Sequence, residues 1–282
     1  MPALSRNVPL AVNTGSFWPA TTEESIRFLQ ELDLSDVELT LQRHEFYLTF
    51  ERELRMPFHS DLAAMIESGT LRVHSVHAPD MNAEHGHSLR AREEYLAHSL
   101  RVCRHLGGRI LVTHPFHLFK SYEGTLDYLT GAVSNVWDAL LPGIRSLLEQ
   151  VRADNIVLSV ENVKIWADDD TGFFNAPDNV KRFINDVAHP NLGLTLDVIH
   201  AQLIGYLNEF LDTLVHSIVN LHVADLVLPA RRVPPGEGIL DWEELVPILK
   251  RLPNLRQVTI ELIRAEPAEV ARAVGFVSSH WS

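Results

Sequence analysis

Eight short apolar runs, each followed by a longer amphipathic stretch, constrain this chain more than any other feature. The runs are Pro9–Thr14, Asp36–Leu41, Arg72–His77, Arg109–His114, Ile156–Glu161, Leu192–Asp197, Ile218–Val223 and Gln257–Leu262. Most are rich in β-branched residues without strict polar alternation, as parallel strands covered on both faces are. The stretches with helical spacing are Thr22–Leu32, Leu62–Ser68, Ser88–Gly107, Leu126–Ala153, Pro177–Val187, Leu207–Val215, Asp241–Leu252 and Pro267–Ser279. The first opens on Thr-Thr-Glu-Glu, a capping residue followed by acids in the first turn, and the third stops at Gly107-Gly108. Unbroken βα alternation implies a parallel sheet with right-handed crossovers. Eight units of about 35 residues each predict closure into a (β/α)8 TIM barrel, with any active site at the C-terminal ends of the strands.

An open doubly wound sheet would carry a glycine-rich first turn, and Val12-Asn13-Thr14-Gly15-Ser16 lacks one. Gly236-Glu237-Gly238 follows no predicted strand and carries no dinucleotide signal. Without a linker or low-complexity stretch, residues 1–282 are expected to form a single α/β domain. The start of the chain lacks the pattern of a secretory signal, and no run approaches the ~20 apolar residues of a membrane span. The expectation is a cytoplasmic protein with no membrane partner. Lys and Arg number 24 against 37 Asp and Glu, a net charge of −13 that disfavours nucleic acid. The lone Cys103 excludes an internal disulfide and any cysteine zinc cluster, and its place in a helical pattern reads as packing.

The chemistry gathers at the ends of the predicted strands. The third ends at His77, the fourth at His114, the fifth at Glu161-Asn162 and the sixth at Asp197 with His200 beyond. The seventh ends at His222 with Asp225 beyond, and the eighth at Glu261. A carboxylate at the inner end of an apolar strand must be desolvated, and several in one barrel mouth repel one another. A divalent cation removes both costs, and these nitrogen and oxygen donors suit Zn²⁺ or Mn²⁺, with Co²⁺, Fe²⁺ or Mg²⁺ also compatible. Glu38, inside the second strand, is assigned a structural place. Trp18 after the first strand and Trp166, Phe173 and Phe174 in the loop Val163–Pro177 are candidates to line or close the mouth.

These residues resemble the xylose isomerase-like barrel superfamily, which includes endonuclease IV, D-tagatose 3-epimerase, inosose isomerases and dehydratases, and hydroxypyruvate isomerase. The resemblance runs from Leu10 to about Val277. It rests on Glu161-Asn162, on Leu194-Thr195-Leu196-Asp197 with His200, and on His222-x-x-Asp225. Gly236-Glu237-Gly238 before Asp241-Trp242, and Thr259-Ile260-Glu261, complete it. It implies that Glu161, Asp197, His222 and Glu261 hold one divalent metal, with Glu161 and Glu261 as the catalytic acid–base pair. It implies a second metal site from His77, His114 and a bridging Glu161, as in the endonuclease branch. His200, Asn162, Trp166 and an arginine of the pair Arg231 and Arg232 would bind substrate.

A third zinc would need an Asp-x-His before the glycines, where this chain reads Ala230-Arg231-Arg232-Val233-Pro234-Pro235. One or two metals per chain are therefore expected. The loop after the third strand, Pro79-Asp80-Met81-Asn82-Ala83-Glu84, offers acids where duplex DNA would need apolar wedges and cations. The resemblance thus implies an isomerase or epimerase of a small sugar, keto-sugar or cyclitol. The alternative is a two-metal phosphoester hydrolase of the endonuclease IV type, with dehydratase chemistry third. Aromatic loops at the mouth would fit a homodimer.

Overall fold

The computed structural model describes residues 8–41, 57–78, 89–114, 141–163 and 176–281. The first half gives strands β1 (Leu10–Asn13), β2 (Asp36–Thr40), β3 (Arg72–His77), β4 (Ile110–Thr113) and β5 (Val157–Glu161). The second gives β6 (Leu192–Asp197), β7 (Ile218–Val223), β8 (Asp225–Val227), β9 (Arg231–Val233) and β10 (Gln257–Ile260). Eight of them, in the order β1-β10-β7-β6-β5-β4-β3-β2, close into a barrel, and every pair is parallel. The (β/α)8 reading is borne out, and each barrel strand lies within one of the eight apolar runs.

The helices are α1 (Thr22–Glu31), α2 (Pro57–Glu67), α3 (Leu89–His105), α4 (141–151), α5 (Pro177–Val187), α6 (Val198–Leu203), α7 (Leu207–Thr213), α8 (Trp242–Leu249) and α9 (Pro267–Trp281). Among the described residues, no helix is long and apolar enough to cross a membrane. The start of α1 is a complete capping box, with Thr21 Oγ1 accepting from Glu24 N–H and Glu24 accepting from Thr21 N–H. In α5 a proline occupies the first turn, and Val180, Phe183 and Val187 bury one stripe against the sheet side.

Three elements depart from the sequence pattern. Helix α2 begins five residues earlier than the periodicity suggests, because Pro57 starts it. Helix α6 follows β6 directly, capped by the Asp197 side chain, and β8–β9 is an antiparallel hairpin after β7. Both are too short, at six and three residues, to leave a periodic signal. Cys103 is fully buried in α3, and burial pushes its thiol up to about 12, so the packing assignment holds.

The barrel interior is polar and stratified. Side chains two residues apart on a strand share a face. Ser75 thus lies one layer below His77, Ser159 below Glu161, Thr195 below Asp197, Asn220 below His222, and Thr259 below Glu261. The lower residues are fully buried and bonded to one another. Ser159 and Thr195 meet at 2.7 Å, Thr259 Oγ1 donates to Asn220 Oδ1 at 3.1 Å, and Gln257 Nε2 donates to Ser75 Oγ and Thr259 Oγ1, each at 2.6 Å. Burial of so many polar atoms is tolerable because they satisfy each other. This layer is the floor on which the acids and histidines stand.

Candidate metal centre at the barrel mouth

Glu161, at the end of β5, is the hub of the mouth. Its buried Oε2 lies 3.2 Å from His77 Nε2, 3.2 Å from His114 Nε2 and 3.3 Å from His222 Nδ1. Its Oε1 lies 3.4 Å from His200 Nδ1. Burial alone would raise the carboxyl's pKa, but the positive charges of His222 and His114 outweigh it and hold Glu161 well below the usual range. Burial opposes charge on His222 too, yet Glu261, Glu38 and Glu161 raise its pKa well above 6.5.

Asp197 ends β6 and is held from three sides. Its Oδ1 accepts from His200 N–H at 2.8 Å, and its backbone is clasped by Asn162, which donates to Asp197 O at 3.1 Å and accepts from Asp197 N–H at 2.7 Å. Both polar ends of the Asn162 amide are engaged there. In this structure Asn162, expected as a substrate contact, anchors a candidate ligand's strand end. Asp197 Oδ2 receives Arg232 at 2.6 Å.

The hairpin delivers Arg232. Asp225, fully buried, accepts from Leu226 N–H at 2.7 Å, Gly236 N–H at 3.0 Å, Leu240 N–H at 3.1 Å and Trp242 Nε1–H at 2.8 Å. One carboxylate thus ties the hairpin base, the glycine loop and α8 together, which explains why Asp225, Gly236-Glu237-Gly238 and Trp242 occur as a set. A Cβ on Gly238 would sit 2.3 Å from Asp225 Oδ1, and Gly236 has a φ of +86°. Arg232, 5% exposed, spans two acids, reaching Glu261 Oε2 and Asp197 Oδ2 at 2.6 Å each, with His200 Nε2 3.0 Å away. Arg231 is 71% exposed and pairs with Glu269 on the outside, so the expected choice between the two falls to Arg232.

Glu261 follows β10. Its Oε2 is also 3.3 Å from His222 Nδ1, and its Oε1 accepts from Asn13 Nδ2 at 3.1 Å. Its carboxyl is lowered, burial being outweighed by the charges of His222 and Arg232. Among the described residues two donor groups result: Glu161, Asp197, His222 and Glu261, and His77, His114 and Glu161, with the ligand atoms of each group within 4.8 Å of one another. His77 Nδ1 lies 2.8 Å from Ala78 O, and a carbonyl only accepts. Nδ1 therefore carries hydrogen, and Nε2 is the nitrogen turned toward Glu161. A mixed nitrogen and oxygen donor set, with histidines whose far nitrogen faces an acceptor, fits a divalent cation.

The sequence assignments thus converge for His77, His114, Glu161, Asp197, His200, His222, Arg232 and Glu261. Trp166, Phe173 and Phe174 lie outside the described residues. Trp18, after β1, is 48% exposed, with Arg264 4.5 Å over its ring. Glu38 was assigned structure only, and it stands 2.9 Å beneath His222 Nε2.

A closed parallel barrel with acids and histidines converging at its mouth defines a class of protein, and comparison gives the family. The chain belongs to the xylose isomerase-like TIM barrel family, whose model matches residues 26–279. A D-tagatose 3-epimerase-like protein superimposes with a TM-score of 0.72 at 18% identity, covering 96% of each chain. A family 2 AP endonuclease from Brucella melitensis gives 0.69 at 17% identity, covering 96% of this chain and 98% of that one. The zinc-bound IOLI protein gives 0.70 at 18% identity, covering 97% and 99%. No curated protein matches the sequence. At these identities the likeness is one of fold.

Proposed function

We propose that the protein is a divalent-metal-dependent isomerase or epimerase of a small sugar, keto-sugar or cyclitol. The observation that carries this reading is the group Glu161, Asp197, His222 and Glu261, closed on one side by the buried Arg232. A bound Zn²⁺ or Mn²⁺ would polarise a substrate carbonyl and its neighbouring hydroxyl and so acidify the adjacent C–H.

The remaining work belongs to the chain. Glu161 and Glu261 stand on or just after strands separated by two neighbours on one side of the barrel and four on the other. They can therefore address a substrate carbon from different faces, one removing a proton and the other returning it. Both carboxyls are held in the ionised, accepting form. The planar fork of Arg232 is held by Glu261 and Asp197, a substrate's paired oxygens would compete for it, and His200 stands beside it to hydrogen-bond one of them. The test is solvent exchange. Sugars and cyclitols incubated with metal-loaded protein in D₂O should take up deuterium at the carbon next to the carbonyl, read by proton NMR. Absence of exchange and of interconversion across that panel would count against the reading.

A second reading rests on a different observation, the placement of His77 and His114 each 3.2 Å from the same Glu161 oxygen. Were both groups filled, Glu161 would be shared between two ions and would be a poor proton shuttle. The chemistry would then be phosphoester hydrolysis, tested on small phosphoesters and abasic-site oligonucleotides.

A further inference from the structure

We propose that Glu38 is a positioning residue for His222, fixing the hydrogen on Nε2 so that Nδ1 is the nitrogen offered to Glu161 and Glu261. The proposal rests on the reading that the Glu161–Asp197–His222–Glu261 group holds a divalent ion.

Glu38 lies at the centre of the barrel on β2, fully buried. Its surroundings can be accounted for atom by atom. Oε1 accepts from Asn13 Nδ2 at 2.8 Å and lies 2.9 Å from His222 Nε2. Oε2 accepts from Ser75 Oγ at 2.7 Å and from Asn220 Nδ2 at 3.3 Å. The orientation of each neighbour is set elsewhere. Asn13 Oδ1 already accepts from Gly15 N–H and Thr40 Oγ1, each at 2.6 Å, so its amide nitrogen must face Glu38. Asn220 Oδ1 accepts from Thr259 Oγ1 at 3.1 Å, which turns its nitrogen the same way. Ser75 Oγ accepts from Gln257 Nε2 at 2.6 Å and spends its own hydrogen on Glu38.

Asn13, Ser75 and Asn220 thus all donate to this carboxylate, and an acceptor-only carboxylate fits that cage. An unprotonated Nε2 facing it would set lone pair against lone pair. The hydrogen therefore sits on Nε2, and a neutral His222 keeps its lone pair on Nδ1, 3.3 Å from both Glu161 Oε2 and Glu261 Oε2. The same cage aims a second candidate ligand, because Asn13 Nδ2 also reaches Glu261 Oε1 at 3.1 Å. A plug in the barrel would need the volume of Glu38, whereas this arrangement uses its charge and both oxygens.

The test measures Zn²⁺ affinity by chelator competition for the wild-type chain, Glu38→Gln and Ser75→Ala, and records ¹⁵N-histidine spectra of the zinc-loaded protein. Glu38→Gln keeps the volume but forces an N–H toward donors, and it should lose about 10- to 100-fold in affinity, as other groups that orient metal-bound histidines do. Ser75→Ala removes a donor from the same carboxylate without touching His222 and should leave the affinity unchanged. The wild-type spectrum should place the His222 proton on Nε2 with Nδ1 on zinc.

Unchanged affinity in folded Glu38→Gln overturns the proposal, and so does an equal loss in Ser75→Ala. If Glu38→Gln does not fold, the wild-type spectrum decides, and a proton on Nδ1 overturns it. A wild-type chain that takes up no Zn²⁺ would instead sink the metal reading beneath it.

Discussion

The two donor groups that share Glu161 are held in different ways. In the group with Asp197, His222 and Glu261, each of these three residues is held by a residue on another element. Asn162 clasps the Asp197 backbone, Glu38 stands under His222, and Arg232 and Asn13 fix the two oxygens of Glu261. In the other group, among the described residues, His77 Nδ1 lies against the carbonyl of the next residue, and His114 is the more exposed ligand at 18%. Preorganisation of this kind lowers the cost of assembling a site, because the ligands need not be ordered when the ion arrives. The comparison supports the proposal that the group with Asp197, His222 and Glu261 takes an ion first, with the more exposed group beside it as an extension.

Removing the shared hub should have the largest effect. Glu161→Ala should empty both groups of metal, and the loss of the acid–base role alone should cost on the order of 10²–10⁴-fold in rate. Retention of metal in that variant would break the comparison at its root. Arg232→Ala comes next. It leaves Asp197 and Glu261 buried without their cation, and should destabilise the metal-free protein by about 3–5 kcal/mol in urea unfolding. Added Zn²⁺ should restore part of that loss, which a purely structural arginine would not allow.

The pH dependence sharpens the same point. His222 titrates well above 6.5 in the metal-free protein, so an incoming ion must displace a proton from Nδ1. Metal affinity should therefore rise with pH up to that raised value, by about tenfold per unit for one displaced proton. Glu161 and Glu261 have lowered carboxyls. Their contribution to metal-free stability is present above the ordinary value of 4.5 and is lost as pH falls from there. A flat affinity profile from acid to neutral pH would contradict the assignment of Nδ1. The smallest effect belongs to Arg231→Ala, on the outer side of the hairpin, which should change stability by no more than about 0.5 kcal/mol and leave metal content unaltered.

Much of this arrangement was legible in the sequence because the barrel imposes a repeat. A parallel strand ending in an acid or histidine announces itself six times over, and Glu161, Asp197, His222 and Glu261 needed no structure to be found. The braces were harder to read. The resemblance offered Asn162 as a substrate contact, and only the register of β5 beside β6 shows that its amide meets Asp197. Glu38 looked structural because a single acid in an apolar strand has no partner in sequence. Its partners come from Asn13, Ser75, Asn220 and His222, as far as 184 positions away in the case of His222.

A signal for the polar floor was present nonetheless: Ser, Thr or Asn stands two residues before His77, Glu161, Asp197, His222 and Glu261. Period-two spacing puts each pair on the same inward face. The hairpin that separates the roles of Arg231 and Arg232 left no such trace, since its three-residue strands are shorter than any periodicity can mark.

Metal counting tests the central claim most directly. The wild-type chain, purified without chelator and reconstituted with Zn²⁺ or Mn²⁺, should be compared with His114→Ala by elemental analysis. A single tightly held ion per chain, kept in His114→Ala, is the result this account expects. Two equally tight ions, one of them lost in His114→Ala, would contradict it and favour the hydrolase. No bound ion at all would contradict both.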